Sequence, residues 1–436
     1  MLVPIVGAIR ERKSIFPTLH HNTTLMIFQS LAVGWGSGTT DFEYLITPLQ
    51  AIQAQAALDG SIVSAILNNT KLAEIKRDAG KQDVCLVFIN SDSGEGYITW
   101  NGTAGDRNNL YAQLGGDDLA LTVANGCRNT VVIVHSVGPI IMERWIEHRN
   151  VRAVVWANLP GQESGNALVD ILYGNINPSG KLTYTIGRSL EDYGPTAGVM
   201  YTPNAKVPQQ DFTEGLYIDY RHFDKENIHP RFEFGFGMSY TSYDYSGIRV
   251  QGGHRNPLPP PRPQPPVSPP HFDSIVPKAS EALYPPGFTK VNRMIYPYLD
   301  STNFTYGPYP YPEGYNTSAT SSEAGGGEGG NPALWEELYR VTVDVTNTGS
   351  IAGAEVVQLY ISFPGERAID FPVKQLRGFE KVWVEPRQTK PVTFSLKRRD
   401  LSYWDIVRQN WVIPHSRIKV SVGASSRKLS QFATLP

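Results

Sequence analysis

The sequence predicts an α/β domain with a mostly parallel sheet, followed by an all-β sandwich. In residues 32–249, short and continuously apolar segments alternate with segments of helical periodicity, which is typical of strands and the helices that cover them. In residues 334–436, strand-like segments follow one another with no helical segment between them. Residues 250–333 are rich in proline and glycine, and residues 1–31 form a divergent N-terminal segment. These regions are the expected domain organisation.

The strands of the α/β domain are expected at residues 83–90, 130–136 and 151–159. Each is a nearly unbroken apolar run, as in parallel strands that are buried on both faces by helices. Helices are expected between and after these strands, at residues 110–124, 141–147 and 162–172.

The proline-rich and glycine-rich region interrupts this pattern. Residues 256–270 include the run Pro-Leu-Pro-Pro-Pro-Arg-Pro-Gln-Pro-Pro, and glycines recur in residues 325–330. Proline cannot donate a backbone hydrogen bond to a sheet. We therefore expect a long surface insertion with little regular structure.

The last region is expected to be a β-sandwich of the fibronectin type III kind. Its apolar residues alternate or run continuously in short segments separated by turn signals such as Asn347-Thr348-Gly349. The expected strands are residues 338–347, 354–363, 374–384, 391–396, 411–413 and 417–423.

Composition excludes two classes of partner. The chain of 436 residues has a formal net charge of -2, so it offers no basic surface for nucleic acid. No apolar run approaches the roughly 18 to 20 residues that a membrane helix needs. We therefore expect a neutral, polar partner and no membrane span; the composition does not indicate an oligomeric state.

Two features bear on the compartment. Cys85 and Cys127 are too few for a disulfide framework, and a bridge between them and two separate buried thiols are both compatible with the sequence. Residues 1–20 do not have the pattern of a signal peptide. Five glycosylation sequons favour secretion, and they begin at Asn22, Asn68, Asn101, Asn303 and Asn316.

Glu95 is the strongest candidate for catalysis. It lies between Gly94 and Gly96, just after a hydrophobic strand. Ligands of parallel α/β sheets bind beyond the carboxyl ends of the strands, and flanking glycines let the backbone approach a substrate. A glutamate in such a loop is otherwise a solvated surface group.

The loop around Glu95 resembles the acid/base loop of fungal β-glucosidases of glycoside hydrolase family 3. Other segments resemble the blocks of this family in the same order, from about Leu31 to the C-terminus. By this resemblance, residues 32–249 are the family's C-terminal α/β sandwich domain. The blocks are residues 34–39, 136–139, 159–166, 173–182 and 232–240, and in the last domain residues 345–349, 358–360 and 422–426.

The resemblance implies a secreted, retaining β-glucosidase that removes terminal β-D-glucosyl residues from cellobiose and cello-oligosaccharides. Glu95 would protonate the leaving oxygen and later activate water. Ser37 matches a serine that reaches the sugar, although a serine capping its own turn is the alternative. Tyr97 matches an aromatic residue beside the aglycone subsite. No metal or other cofactor is implied, because no His/Cys/Asp cluster has ligand spacing.

Three other polar residues near these blocks are given different roles. Asp92 is expected to bond the Glu95 loop or to be a rival acid. Glu163 opens a helix, where a negative charge stabilises the N-terminal end, so we expect a structural role. His135 ends an apolar strand and is expected to be a core histidine.

The family's nucleophilic aspartate lies in a Ser-Asp-Trp motif of an N-terminal (β/α)8 barrel, and this sequence has no Ser-Asp-Trp. The residues before Gly34 are too few for a barrel of about 250 residues. We therefore expect the C-terminal part of such an enzyme, inactive alone. The alternatives are a non-catalytic carbohydrate-binding or scaffold protein, and an N-acetylglucosaminidase-type or xylosidase-type relative.

The composition of the insertion predicts where proteases cut. The many prolines of residues 252–331 cannot donate to a sheet, and its glycines widen the backbone freedom, so limited proteolysis should cleave this region first. The check is mass spectrometry of the early fragments. Early cleavage within residues 83–172, with the insertion spared, would contradict the prediction.

Overall fold

The computed structural model describes most of the chain in two units. The described residues are 2–4, 23–27, 31–34, 39–94, 99–100, 103–104, 107, 109–194, 206–207, 209, 211–253, 256–260, 331–364 and 369–436. The first unit comprises residues 1–257, 337–402 and 413–436, and the second comprises residues 258–336 and 403–412.

An α/β sheet with helices forms the N-terminal part of the first unit. Its strands are β1 Leu2–Pro4, β2 Thr23–Ile27, β3 Ile62–Ile66, β4 Val84–Ser91, β5 Thr99–Trp100, β6 Thr103–Ala104, β7 Thr130–Ser136 and β8 Val151–Trp156. Its helices are α1 Pro48–Asp59, α2 Leu72–Ala79, α3 Gly116–Gly126, α4 Ser164–Leu172 and α5 Tyr220–Lys225.

The main sheet has the strand order β1-β8-β7-β4-β2-β3. All neighbours in it are parallel except β1, which is antiparallel to β8. The predicted mostly parallel sheet is confirmed. The short strands β5 and β6 pair only with each other, as an antiparallel hairpin.

The main sheet also takes strands from before residue 32, the expected start of the α/β domain. Strand β2 lies between β3 and β4 and pairs with both, for example through Met26 with Ala65 and Leu86. Residues 1–31 therefore supply two strands, β1 and β2, of the main sheet. The run Thr-Thr-Leu-Met-Ile is too short to stand out in the sequence, and its pairing partners are distant along the chain.

The helices also differ from the prediction in part. Residues 141–147, predicted as a helix, are a series of turns in which the Ile146 N–H donates to Met142 and the Trp145 N–H also donates to Met142. The apolar residues there are buried at the spacing of a helix face, although the backbone forms only turns. Helix α1 was not predicted, although Thr47 and Gln50 form a capping box at its start.

Two apolar clusters cover the two faces of the sheet. In β4, Cys85, Val87 and Ile89 face one cluster with α3, while Leu86 and Phe88 face the other with α4. All five side chains are fully buried. Burial of each large apolar side chain contributes about 1.5 to 3 kcal/mol, so β4 lies at the centre of the hydrophobic core.

A disulfide joins Cys85 in β4 to Cys127 just after α3, with the Cα atoms 6.3 Å apart. The sequence left this pairing open, and the structure shows it bonded. The bridge fastens the end of α3 to the central part of the sheet.

The C-terminal part of the first unit is a β-sandwich. Its strands are β9 Tyr243–Gly252, β10 Glu337–Asn347, β11 Gly353–Ser362, β12 Gln375–Val384, β13 Thr389–Lys397, β16 Lys419–Gly423 and β17 Leu429–Thr434. The two short strands between β13 and β16, β14 Tyr403–Asp405 and β15 Asn410–Val412, belong to the second unit. The sandwich sheets have the orders β13-β10-β9 and β12-β11-β16-β17, all antiparallel. The predicted all-β sandwich is confirmed.

Strand β9, which begins before the expected boundary at residue 249, pairs with the sandwich. Val250 pairs with Val341, and Tyr245 pairs with Val345 of β10. Alternate β9 residues, including Tyr243, Tyr245 and Val250, pack on the sandwich core. The sandwich therefore begins before the insertion.

The second unit contains a turn of 3-10 helix at Pro332–Trp335 and the hairpin of β14 and β15, in which Trp404 and Trp411 pack edge to face. The strand predicted at residues 411–413 corresponds to β15, so it is not a sandwich strand. Residues 261–330, most of the predicted insertion, lie outside the described residues, and their predicted lack of regular structure stays a prediction.

Within the first unit, the sandwich packs on the segment that follows α5. Gln358 of β11 donates to the carbonyl of Gly235 at 3.0 Å and to that of Ala424 at 2.9 Å. Gly235 has φ 78°, and a Cβ there would overlap the Gln358 amide. Nearby, Lys181 bonds Glu355 at 3.0 Å. Because both charges are buried, they stabilise this contact only as a pair.

The disulfide predicts a measurable loss of stability. Cys85 and Cys127 are 42 residues apart, so the chain-entropy model assigns the bridge about 4 kcal/mol of unfolding free energy. Replacing both cysteines with serine should lower the urea midpoint by the corresponding amount, and dithiothreitol should lower the midpoint of the wild type only. Two titratable thiols in the unfolded, unreduced protein would contradict the pairing.

Candidate active site

The carboxyl ends of three strands meet at one edge of the main sheet. Ser91, the last residue of β4, pairs with Ser136, the last residue of β7, and Trp156 at the end of β8 pairs with Val134. The loops that follow these strands therefore leave the sheet side by side. This edge is where ligands of parallel α/β sheets bind.

Gln113 fixes the exit of the chain from β4. Its side-chain oxygen accepts the Asp92 N–H at 2.8 Å, and its amide nitrogen donates to the Asp92 carbonyl at 3.0 Å. The Gln113 N–H also donates to the Asn90 carbonyl at 2.9 Å. The start of the loop that leads to Glu95 is thus held as firmly as a paired strand residue.

The segment before Ser37 lies against the start of this loop. A Cβ placed on Gly34 would lie 3.6 Å from the Asp92 carboxylate and 3.8 Å from the Ser93 carbonyl. The Gly161 N–H donates to the Ala32 carbonyl at 2.9 Å, which ties the same segment to the loop after β8. The same Gly34 Cβ would lie 3.5 Å from the Leu159 side chain, so the family blocks of residues 34–39 and 159–166 are in contact at their first residues.

Arg107 closes the loop that begins at Ser93. Its N–H donates to the Ser93 hydroxyl at 3.2 Å, and its guanidinium donates to the Pro139 carbonyl at 2.8 Å. The two ends of the loop, and the loop after β7, are thereby joined through one residue. The sequence analysis did not single out Arg107, because its role depends on contacts far apart in the chain.

A hydrogen-bonded group lies at the end of β8. The Trp156 indole donates to the Tyr184 hydroxyl at 2.6 Å, and that hydroxyl donates to Asn158 at 3.4 Å. Asn158 has φ 53°, which asparagine tolerates better than most residues. Burial raises the pKa of Tyr184 to about 12, so its hydroxyl stays protonated. None of its members was predicted from the sequence.

The predicted site residues Glu95, Tyr97 and Ser37 lie outside the described residues, so their roles stay predictions. Of the sequons, Asn68 is described and exposed, and its side-chain oxygen accepts the Thr70 N–H at 2.9 Å and hydroxyl at 2.7 Å. Asn22, Asn101, Asn303 and Asn316 lie outside the described residues.

The other polar residues have the following contacts. The Asp92 carboxylate accepts the Ser93 N–H at 2.8 Å, in keeping with a role in shaping the loop. Glu163 accepts the Tyr44 hydroxyl at 2.6 Å, and this bond lowers the pKa of its carboxyl. His135 is 1% exposed and stacks on Phe88, and burial lowers its pKa to about 4.

The described part of the chain lacks a metal-binding cluster and a membrane-spanning helix. No group of three or more His, Cys, Asp or Glu residues there could hold a metal ion. No helix there is long and apolar enough to cross a membrane.

The fold and this edge define a class of protein: an α/β domain with three loops that leave one edge of its parallel sheet, joined to a β-sandwich domain. Residues 9–240 match the glycosyl hydrolase family 3 C-terminal domain, and residues 355–426 match the fibronectin type III-like domain. The chain belongs to glycosyl hydrolase family 3.

Individual relatives agree with this assignment. The probable beta-glucosidase E of Aspergillus fumigatus is 50% identical over 408 residues, which cover 92% of this chain and 39% of that protein. The Chaetomium thermophilum beta-glucosidase has a TM-score of 0.82 and 40% identity, over 100% of this chain and 55% of that one. A family 3 beta-glucosidase from Neurospora crassa has a TM-score of 0.84 and 38% identity, with the same coverages. This chain thus spans roughly two fifths to half of its relatives.

Asp92 predicts a pH-dependent difference in stability. Burial raises the pKa of its carboxyl above the unfolded value of about 3.9, although the Ser93 N–H opposes the shift. The folded state then holds the proton more tightly than the unfolded state does. The contribution of this carboxyl to the free energy of unfolding therefore falls as pH rises from below the unfolded pKa through the folded pKa. Asp92→Asn should therefore be more stable than the wild type at pH 7, with the advantage vanishing below about pH 3.

The measurement is urea unfolding of both proteins from pH 3 to pH 7. The exposed Asp41→Asn is the matched control, and it should show no such trend. A loss of stability in Asp92→Asn at pH 7 would mean that the ionised carboxylate is itself stabilising.

Proposed function

We propose that this chain supplies the acid/base half of a retaining β-glucosidase, with Glu95 as the acid/base. The main support is the meeting of two loop starts at the carboxyl edge, where Gly34 lies beside Asp92 and Ser93. Glu95 is two residues beyond Ser93, and a chain extends at most about 3.3 to 3.6 Å per residue. Covalent connection alone thus keeps the Glu95 backbone within about 7 Å of that anchor.

The reaction has two steps. First, a nucleophilic carboxylate attacks the anomeric carbon while Glu95 donates its proton to the departing glycosidic oxygen, which leaves a glycosyl ester. Then Glu95, now a carboxylate, takes a proton from water as the water displaces the ester. The nucleophile would lie ~5 to 5.5 Å from Glu95 and would belong to a family barrel, since this sequence has no Ser-Asp-Trp.

Two further residues complete the proposed site. Ser37 would hydrogen-bond the sugar in the nonreducing-end subsite, and the block that contains it begins at Gly34, beside the loop of Glu95. Tyr97 would place its ring against the apolar face of the aglycone. No cofactor takes part in this chemistry.

We also propose that the protein is extracellular and glycosylated, and that it acts on cellobiose and related oligosaccharides during cellulose breakdown. The disulfide between Cys85 and Cys127 supports an oxidising compartment. Asn68 is exposed within its sequon, so it is accessible to a glycan. The relatives' names as beta-glucosidases support the substrate class.

A non-catalytic carbohydrate-binding or scaffold protein is the second candidate. The absence of Ser-Asp-Trp favours it. Turnover distinguishes the two: a scaffold would bind sugar but remain inactive when a family barrel is placed before residue 1.

The role of Glu95 can be tested in such a barrel fusion, whereas the chain alone should hydrolyse aryl β-glucosides at no more than background rate. In the fusion, Glu95→Gln should lower cellobiose turnover by about 100- to 10,000-fold, because this leaving group must be protonated. Turnover of a 2,4-dinitrophenyl glucoside should fall far less. Azide should partly restore that rate by attacking the glycosyl ester in place of activated water.

Glu163→Gln is the matched control, since it removes a carboxylate with structural contacts to Tyr44 and Asn166. It should leave the ratio of the two turnover rates unchanged. Equal losses on both substrates in Glu95→Gln, without an azide response, would refute the acid/base role; strong activity of the unfused chain would reveal an unrecognised nucleophile.

A further inference from the structure

Arg221 is a partly buried cation that has no carboxylate partner in the described part of the chain. It lies in α5, and its guanidinium carbon lies 5.7 Å from the centre of the Tyr220 ring. Its Nε is buried and has no hydrogen-bond partner. A guanidinium is always charged and carries five donors, and buried donors are nearly always paired. An unpaired Nε in this position is therefore unusual.

Arg377 of β12 is a second guanidinium close to the same ring. The Tyr220 hydroxyl accepts the backbone N–H of Leu376, the residue before Arg377, at 3.0 Å. Within the described residues, Arg377 donates to neutral oxygens, namely the carbonyls of Asp400 at 2.9 Å and Leu376 at 3.2 Å and the Gln375 side chain at 2.7 Å. These bonds leave part of its donor capacity unused.

Other cations lie near Arg377. Burial lowers the pKa of Arg377; Asp400 and Tyr220 oppose this effect, and the charges of Arg221 and Arg399 add to it. Arg221 is therefore close enough for its charge to act on Arg377.

A neighbouring site in the same unit is neutralised by contrast. Asp224, also in α5, bonds Lys374 at 2.5 Å and lies 3.2 Å from Arg427. Asp224 thus pairs with two cations at this junction, whereas no carboxylate of the described residues bonds Arg221 or Arg377.

We propose that Arg221 and Arg377 form a binding site for a small oxyanion, such as inorganic phosphate or a sugar carboxylate. Guanidinium groups present parallel N–H donors that match two oxygens of such an anion. A bound anion would bridge α5 of the α/β part to β12 of the sandwich, because the two cations come from these elements. This site is independent of the proposed catalysis at Glu95.

Thermal unfolding of the full chain tests the site. Sodium phosphate at 20 mM should raise the melting temperature by about 3 °C over sodium chloride of equal ionic strength, with a saturable dependence on concentration. A parallel titration with sodium glucuronate distinguishes a mineral anion from an acidic sugar, because the true ligand class saturates at the lower concentration. Isothermal titration calorimetry with the same probes gives the affinities.

Arg221→Gln should abolish both the thermal shift and the calorimetric signal while the protein stays folded, because this guanidinium makes no hydrogen bond among the described residues. Arg221→Lys should weaken binding at least tenfold, since it keeps the charge but loses the paired donors. The exposed Arg149→Gln is the charge-matched control and should bind as the wild type does. Equal shifts in the wild type and Arg221→Gln, or no shift beyond that of chloride, would overturn the proposal.

Discussion

Strands β4 and β7 pair in register from Cys85 with Thr130 to Ser91 with Ser136. The remaining architecture of the α/β part follows from this pairing, because both strands are buried on both faces and cannot slide without exposing apolar side chains. The register fixes where the two strands end. It therefore fixes where the loops after Ser91 and Ser136 begin, and the contacts of Arg107 and Gln113 extend that order into the loops.

The two parts of the first unit are joined by polar contacts whose members satisfy one another. Gln358 fills the space that Gly235 leaves open, and the buried pair of Lys181 and Glu355 lies nearby. Glu355 also accepts the hydroxyl of Tyr245 at 2.7 Å, so its charge is doubly compensated. Such contacts add little net free energy to stability. They instead specify one arrangement of the two parts, because a shifted junction would leave buried charges without their partners.

The sequence was sufficient to predict the strands that are fully buried. It was insufficient to predict residues whose contacts are far apart along the chain. The continuous apolar runs of β4, β7 and β8 indicated a parallel sheet directly. Strand β2 was not predicted because five residues carry little periodic signal. Strand β9 was not predicted because its alternating Tyr-Asp-Tyr-Ser pattern lies next to the expected domain boundary at residue 249. The candidate loop at Glu95 was found from its glycines and its family resemblance. Arg107 and Arg221 were not found from the sequence. The role of Arg107 depends on contacts between distant residues, and Arg221 is notable because its buried Nε has no hydrogen-bond partner among the described residues.

The antiparallel pairing of β9 with β10 has a consequence for the insertion between them. Gly252 pairs with Tyr339, so the chain leaves and re-enters the sandwich at adjacent points. The entropy of closing such a loop grows only with the logarithm of its length, and doubling the length costs about 0.6 kcal/mol. The segment between these residues can therefore gain or lose many residues during evolution while the sandwich that holds its ends keeps its stability.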